Sequence, residues 1–308
     1  MSGRRRKVEN RYTFIRRLNI RLRTVSPFFL FFTKRLSRTL KIMRLKRKIA
    51  RIKLPTSPLE KDPMFSSVEI ETINRCNGNC CFCPVNHKQD PRPFKKMSRE
   101  LFRKIIDELA SMNFDGRLSL YSNNEPLLDT RIHEFVEYAK SRLPSAQIGI
   151  STNGTLLNVE KYERLVENLD SLVINNYSND INRLKPNLME VSRYIDSRPE
   201  LWEKTDIRIR YEKEVLTTRG GQAPNACHHK PRKPINCGCL LPTYQMIIRP
   251  DGGLSLCCND ALGTVTLGDV NVESLMEAWN NATARRIRRK VLRSRACFEI
   301  CQGCDTCG

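Results

Sequence analysis

The chain has 308 residues, 40% of them hydrophobic, enough for one large buried core with appendages, and this excludes an intrinsically disordered chain. Its thirteen cysteines are an odd number, several of them two or three residues apart, which suits metal ligation in a reducing compartment better than a disulfide framework. The formal net charge is +21, but residues 1–62 hold twenty Lys and Arg against three acidic residues, so +17 of it belongs to an extension and not to the body that follows.

Within that extension Ile15, Leu18 and Leu22, and then Leu36, Leu40 and Met43, recur at helical spacing among the bases. A basic amphipathic helix of this kind lies on an anionic membrane surface or grips a phosphate backbone, and a solvated tail is the plain alternative. The apolar run at residues 27–32 is too short to span a bilayer. With no small-residue cleavage site after it, no secretory signal is expected, and the location expected is cytoplasmic or peripheral at the membrane.

After Pro55 and Pro58 short strands alternate with helices. Strands are predicted at residues 67–73, 117–121, 146–151, 171–175 and 206–211, and helices at 98–112, 131–142, 159–169 and 187–195. Such alternation predicts a parallel sheet, and about 160 residues are too few for the ~250 of a complete eight-stranded barrel. The fold class expected is therefore α/β, a partial (β/α)6 TIM-type barrel over residues 63–225. A smaller domain of one β-hairpin plus a helix follows over 226–308.

Directly after the first strand the chain reads Arg75-Cys76-Asn77-Gly78-Asn79-Cys80-Cys81-Phe82-Cys83-Pro84. Cys76, Cys80 and Cys83 form a C-x3-C-x2-C triplet. Three thiolates so close can hold three corners of a 4Fe-4S cube and leave the fourth iron open, whereas a structural zinc takes four protein ligands. With Phe82 before its last cysteine, the triplet resembles the signature of the radical SAM superfamily. That resemblance implies that the open iron binds S-adenosylmethionine, whose reductive cleavage gives a 5′-deoxyadenosyl radical that abstracts hydrogen from substrate. It also implies a flavodoxin- or ferredoxin-type electron donor.

The resemblance extends to later strand ends. Ser122-Asn123-Asn124-Glu125-Pro126 stands where the family usually has Gly-Gly-Glu-Pro, which makes Asn123, Asn124 and Glu125 candidate ligands of the methionine amino group. Ser151 and Asn153 close the third strand beside the expected ribose and carboxylate, and Arg210 on the fifth strand either enters the barrel mouth to meet an anion or faces solvent.

Residues from 226 onward carry nine of the thirteen cysteines. Strands at 244–249 and 254–257, joined by Pro250-Asp251-Gly252-Gly253, fold Cys239 and Cys257 toward each other, and a helix at 272–292 returns the chain to Cys301 and Cys304. The region resembles SPASM and Twitch extensions, which implies one auxiliary 4Fe-4S cluster on Cys239, Cys257, Cys301 and Cys304. A Cys304–Cys307 pairing and a zinc ribbon remain alternatives. Cys258, left outside the ligand set, is the candidate hydrogen-atom donor. The function expected is dehydrogenation or epimerisation of a small polar, sugar- or cyclitol-like substrate, with peptide side-chain maturation and RNA modification as alternatives.

Overall fold

In the computed structural model, residues 27–52, 54–55, 60–86, 88, 90–178, 183–211, 217–224 and 235–307 are described. Ile15, Leu18 and Leu22 lie outside these residues, as do His87, Cys227, His228 and His229. The chain divides into two compact units, one up to Ile52 and one over Lys53–Thr306. The first contains a long helix, α1 (Pro27–Arg51), with Lys48 and Arg51 in its last turn, where cations suit the negative end of the helix dipole. Leu45 of α1 is buried, whereas Leu40 and Met43 are exposed. Among the described residues no helix is long and apolar enough to cross a membrane.

The second unit is built on one eight-stranded sheet: β1 (Ser67–Ile70), β2 (Arg117–Ser119), β3 (Gln147–Thr152), β4 (Ser171–Ser178), β5 (Thr205–Tyr211), β6 (Gln245–Ile248), β7 (Gly253–Ser255) and β8 (Thr266–Asp269), in the spatial order β5-β4-β3-β2-β1-β6-β7-β8. Strands β1 to β5 run parallel, as expected of crossover units. They are connected by α2 (Arg99–Ser111), α3 (Ile132–Arg142), α4 (Val159–Asn168) and α5 (Pro186–Ser197). A sixth parallel strand completes the partial barrel, and it comes from the C-terminal hairpin. Strand β6 pairs with β1 from Ser67↔Gln245 to Ile70↔Ile248 and then turns into antiparallel β7 and β8.

Side chains alternate across each strand, and this alternation separates core from site. Val68, Ile70, Leu118, Leu120, Ile148, Ile150, Leu172, Ile174, Met246 and Ile248 are buried in one continuous apolar cluster with the helices. The helices start where the chain supplies caps: Ser98 Oγ accepts from the Leu101 N–H, and Asn158 Oδ1 accepts from that of Lys161.

One expected element is corrected. The helix predicted over 272–292 is two helices, α6 (Leu275–Asn280) and α7 (Ala282–Arg293). Asn281 separates them at φ −61°, ψ 159°, because its Oδ1 caps α7 through the Ala284 N–H while its Nδ2 donates to Leu267 O and Glu273 Oε1. A short helix α8 (Glu299–Gln302), absent from the sequence reading, precedes the last cysteines.

Candidate active site

The cysteine triplet lies on the loop leaving β1, at the carboxyl end of the parallel strands, where barrels of this type gather their chemistry. Its shape is locally enforced. The Cys83 N–H donates to Cys80 O, and Asn86 Nδ2 donates to both Cys80 O and Cys83 O. The Gly78 N–H donates to Cys76 Sγ at 3.3 Å, and a Cβ on Gly78 would stand 3.2 Å from Cys76 Sγ and 3.8 Å from Cys80 Sγ, in the space these thiols face. Burial pushes the Cys76 thiol up to about 12 and raises that of Cys83. Raised values favour the bare thiols over the thiolates at both positions. Phe82 is buried, its ring 6.0 Å from that of Tyr177 on β4.

The loops after β2 and β3 close over the triplet. Asn153 Nδ2 donates to Asn77 Oδ1 at 2.8 Å and lies 3.9 Å from Cys76 Sγ, while Asn77 Nδ2 donates to Thr155 Oγ1. Glu125, 2% exposed, accepts from Thr152 Oγ1, from the Asn153 N–H and from the Leu127 N–H. Its carboxylate thus braces the loop after β3, a role the family pattern did not suggest. Asn123 is also buried. Its N–H donates to Glu71 Oε1, its Nδ2 to Cys258 O, and its Oδ1 accepts from Arg219 Nη1 at 2.7 Å. Neither Asn123 nor Asn124 needs the backbone freedom of the glycines they replace, since the non-glycine residues with positive φ among those described are Asn113 and Arg219. Asn124 Nδ2 is buried without a partner, a donor that a cofactor oxygen would satisfy.

Across the barrel interior runs a chain of polar contacts. Ser151 Oγ accepts from Asn175 Nδ2, and Asn175 Oδ1 accepts from Arg210 Nε, so Arg210 enters the mouth and joins β5 to β4 and β3. Arg208 pairs with Asp206 on the same strand face. Glu69 on β1 accepts from Ser122 Oγ at 2.6 Å and from Gln245 Nε2 at 2.7 Å. Glu69 is partly open to the interior yet densely surrounded, and burial raises its pKa against the opposing pull of Ser122, Arg219 and Arg117. Glu69 and Gln245 were missed in sequence because 176 residues separate them. The signal available was the pair Glu69 and Glu71, acids at alternate positions of the first predicted strand.

Cys258 lies at the base of the same interior, its N–H donating to Gln245 Oε1 at 3.4 Å. Burial and then the charge of Glu69 push its thiol up to about 12, so it carries its hydrogen at neutral pH. Behind it, Cys239, Cys257, Cys301 and Cys304 line one cavity, together with Gly220, Arg295 and a ring of apolar residues. These four cysteines face one shared space, as ligands of a single bound group would. Buried Arg295 ties that space shut by donating to Gly238 O, Cys304 O and Thr306 O, and it places a cation beside the thiols.

A barrel mouth that presents three clustered cysteines, backed by a second cysteine-lined cavity, has the donor set of an iron-sulfur enzyme. The chain carries a radical SAM domain followed by an iron-sulfur cluster-binding domain: the radical SAM superfamily model matches residues 70–214, and the SPASM model matches residues 239–305. Its cofactors are therefore a 4Fe-4S cluster with S-adenosylmethionine, and auxiliary iron-sulfur chemistry in the C-terminal region. The chain is 22% identical over 246 residues to the S-adenosyl-L-methionine-dependent 2-deoxy-scyllo-inosamine dehydrogenase of Niallia circulans, covering 79% of this chain and 94% of that one. Among solved structures it resembles BtrN in complex with AdoMet and 2-DOIA, at TM-score 0.67 and 22% identity over 80% of this chain and 94% of the other. It also resembles anSMEcpe with bound AdoMet, at TM-score 0.52 and 12% identity over 79% of this chain and 85% of the other.

Proposed function

We propose that this radical SAM enzyme dehydrogenates a small polyhydroxylated ring of the sugar or cyclitol class, as its Niallia circulans relative is named for doing. The observation that carries the substrate class is the polar barrel face, where Glu69 is hydrogen-bonded to Ser122 and Gln245, and Asn175 to Ser151 and Arg210. The four-cysteine cavity supports oxidation. When bound, the cluster of Cys76, Cys80 and Cys83 supplies with S-adenosylmethionine the radical that takes a hydrogen atom from carbon. The remaining hydrogen of the alcohol would leave as a proton, for which Glu69 is the nearby carboxylate, and one electron; Cys239, Cys257, Cys301 and Cys304 would hold an auxiliary cluster able to take it up.

Asn123, Asn124, Asn153, Ser151 and Arg210 would hold the cofactor, with Glu125 fixing their loops and Phe82 packing beneath the triplet. Cys258 would donate a hydrogen atom if the outcome were epimerisation instead. Electrons would come from a flavodoxin- or ferredoxin-type donor in the cytoplasm, and the division proposed is an extension at 1–62, a barrel at 63–225 and an auxiliary domain at 226–308. The basic extension would bring the enzyme to an anionic surface. Salt-sensitive co-sedimentation with anionic vesicles supports this, and binding to RNA but not to vesicles overturns it.

The deciding experiment is anaerobic reconstitution with product analysis on a panel of aminocyclitols and sugars. About eight irons are expected, about four of them lost in Cys76→Ala/Cys80→Ala/Cys83→Ala together with all 5′-deoxyadenosine. A ketone product that persists in Cys258→Ser supports dehydrogenation. Solvent deuterium retained at the reacting carbon, lost in Cys258→Ser, would replace it with epimerisation.

A further inference from the structure

The segment Thr218–Gly221 lies between the two cluster sites and touches the loops of both. On the auxiliary side, the Thr218 N–H donates to Asp305 Oδ1 at 2.9 Å and its Oγ1 to Gly303 O at 2.7 Å, on either side of Cys304. Gly220 lines the cysteine cavity and packs so closely that a Cβ there would stand 2.4 Å from Ile300 Cγ1. Arg219 has a φ of 46°, a left-handed conformation unfavourable for a residue with a Cβ, and Gly220 and Gly221 continue it at 62° and 90°. Such a conformation persists only where its surroundings hold it, and here it directs the guanidinium toward the barrel. Arg219 Nη1 donates to Asn123 Oδ1 and to Cys258 O, both at 2.7 Å. Asn123 belongs to the loop after β2 that closes on the triplet, and Cys258 follows the auxiliary cysteine Cys257. The cation also acts electrostatically on Cys83 of the triplet and on Glu69.

We propose that Arg219 is a positioning residue that latches the two cluster sites together, holding the cofactor loop against the auxiliary ligand loop and placing between the clusters a positive charge that makes both easier to reduce. Asn123, which also bridges the two loops through its Nδ2 and Cys258 O, can fix a distance but cannot supply that charge. Two iron-sulfur clusters held by seven thiolates make the space between them strongly negative, and a fixed cation there favours arrival of an electron at either one. The inference rests on the assignment of both clusters.

The test uses the reconstituted full chain with Arg219→Gly and Arg219→Lys. Glycine suits the left-handed backbone and removes only the side chain, so the fold is preserved while the latch is lost. Both variants are expected to carry wild-type iron. In a redox titration followed by electron paramagnetic resonance, Arg219→Gly should move both midpoints to lower potential, Arg219→Lys should restore them in part, and the 5′-deoxyadenosine formed per oxidised product should rise several-fold in Arg219→Gly. Wild-type midpoints in an iron-replete Arg219→Gly overturn the proposal. So does loss of auxiliary iron with the first cluster's midpoint unchanged, which would make Arg219 a brace alone. A wild-type chain that binds only about four irons overturns the functional reading itself and is read before either variant.

Discussion

Glu69 shows what a single residue on an inward strand face can add to cofactor chemistry. Its carboxyl is raised above the ordinary glutamate value of 4.5, first by burial, with Ser122, Arg219, Arg117 and Gln245 pulling it back. As a base it works only when ionised, so activity should fall as pH drops through that raised value, at a higher pH than an exposed glutamate would give. Glu69→Gln should abolish this acidic limb and lower product formation at least tenfold, yet leave S-adenosylmethionine cleavage in place. A pH profile with an unchanged limb would exclude Glu69 as the acceptor. For folding the direction is opposite: charging this carboxyl is costlier in the folded chain, so its contribution is greatest below pH 4.5 and is lost as pH rises through the raised value. The cysteine triplet was legible in the sequence because one short loop carries the whole cluster geometry. Glu69 was not, because its meaning depends on Gln245 and Ser122, which only the assembled sheet brings to it.

At the scale of elements, the alternation of strands and helices was readable because outward-facing strand positions are almost uniformly apolar and the helices carry their caps in sequence. The break at Asn281 was not, because Leu275, Ala278, Ala284, Ile287 and Val291 keep a helical rhythm across it. What interrupts the rhythm is one amide side chain that serves three backbone and side-chain partners at once. Asn281→Ala should cost about 1 kcal/mol through the lost cap, seen as a lower urea midpoint at unchanged slope. An Asn281→Ala chain as stable as the wild type would mean that packing of Trp279 and Ile287, and not the cap, fixes the two helices. The hairpin was foreseen, but not its place in the sheet, because hydrophobic periodicity does not say which edge a strand joins.

Across the whole second unit, the segment before β1 is tied to the far C-terminal helix through one buried acid. Asp62 accepts from Arg288 and Arg289 and faces Arg285, while the Arg288 guanidinium stacks 4.1 Å from the Trp279 ring and also donates to Trp279 O. Removing the acid leaves Arg288 buried without its counter-charge, so Asp62→Ala should destabilise the chain by about 3–5 kcal/mol, measured by chemical denaturation of the anaerobic holoenzyme. A loss below about 1 kcal/mol would show that Trp279 and solvent suffice to accommodate the arginine.

The position of β6 has a further consequence, for the time at which the molecule is made. Strand β1 emerges early during synthesis, yet its second neighbour begins at Gln245, so every nascent chain spends the intervening interval with one side of β1 unpaired. A bare strand flank recruits other strands. The sheet that cradles the radical chemistry is therefore sealed only when the auxiliary region arrives, and premature termination before Gln245 leaves an adhesive edge instead of a smaller working enzyme.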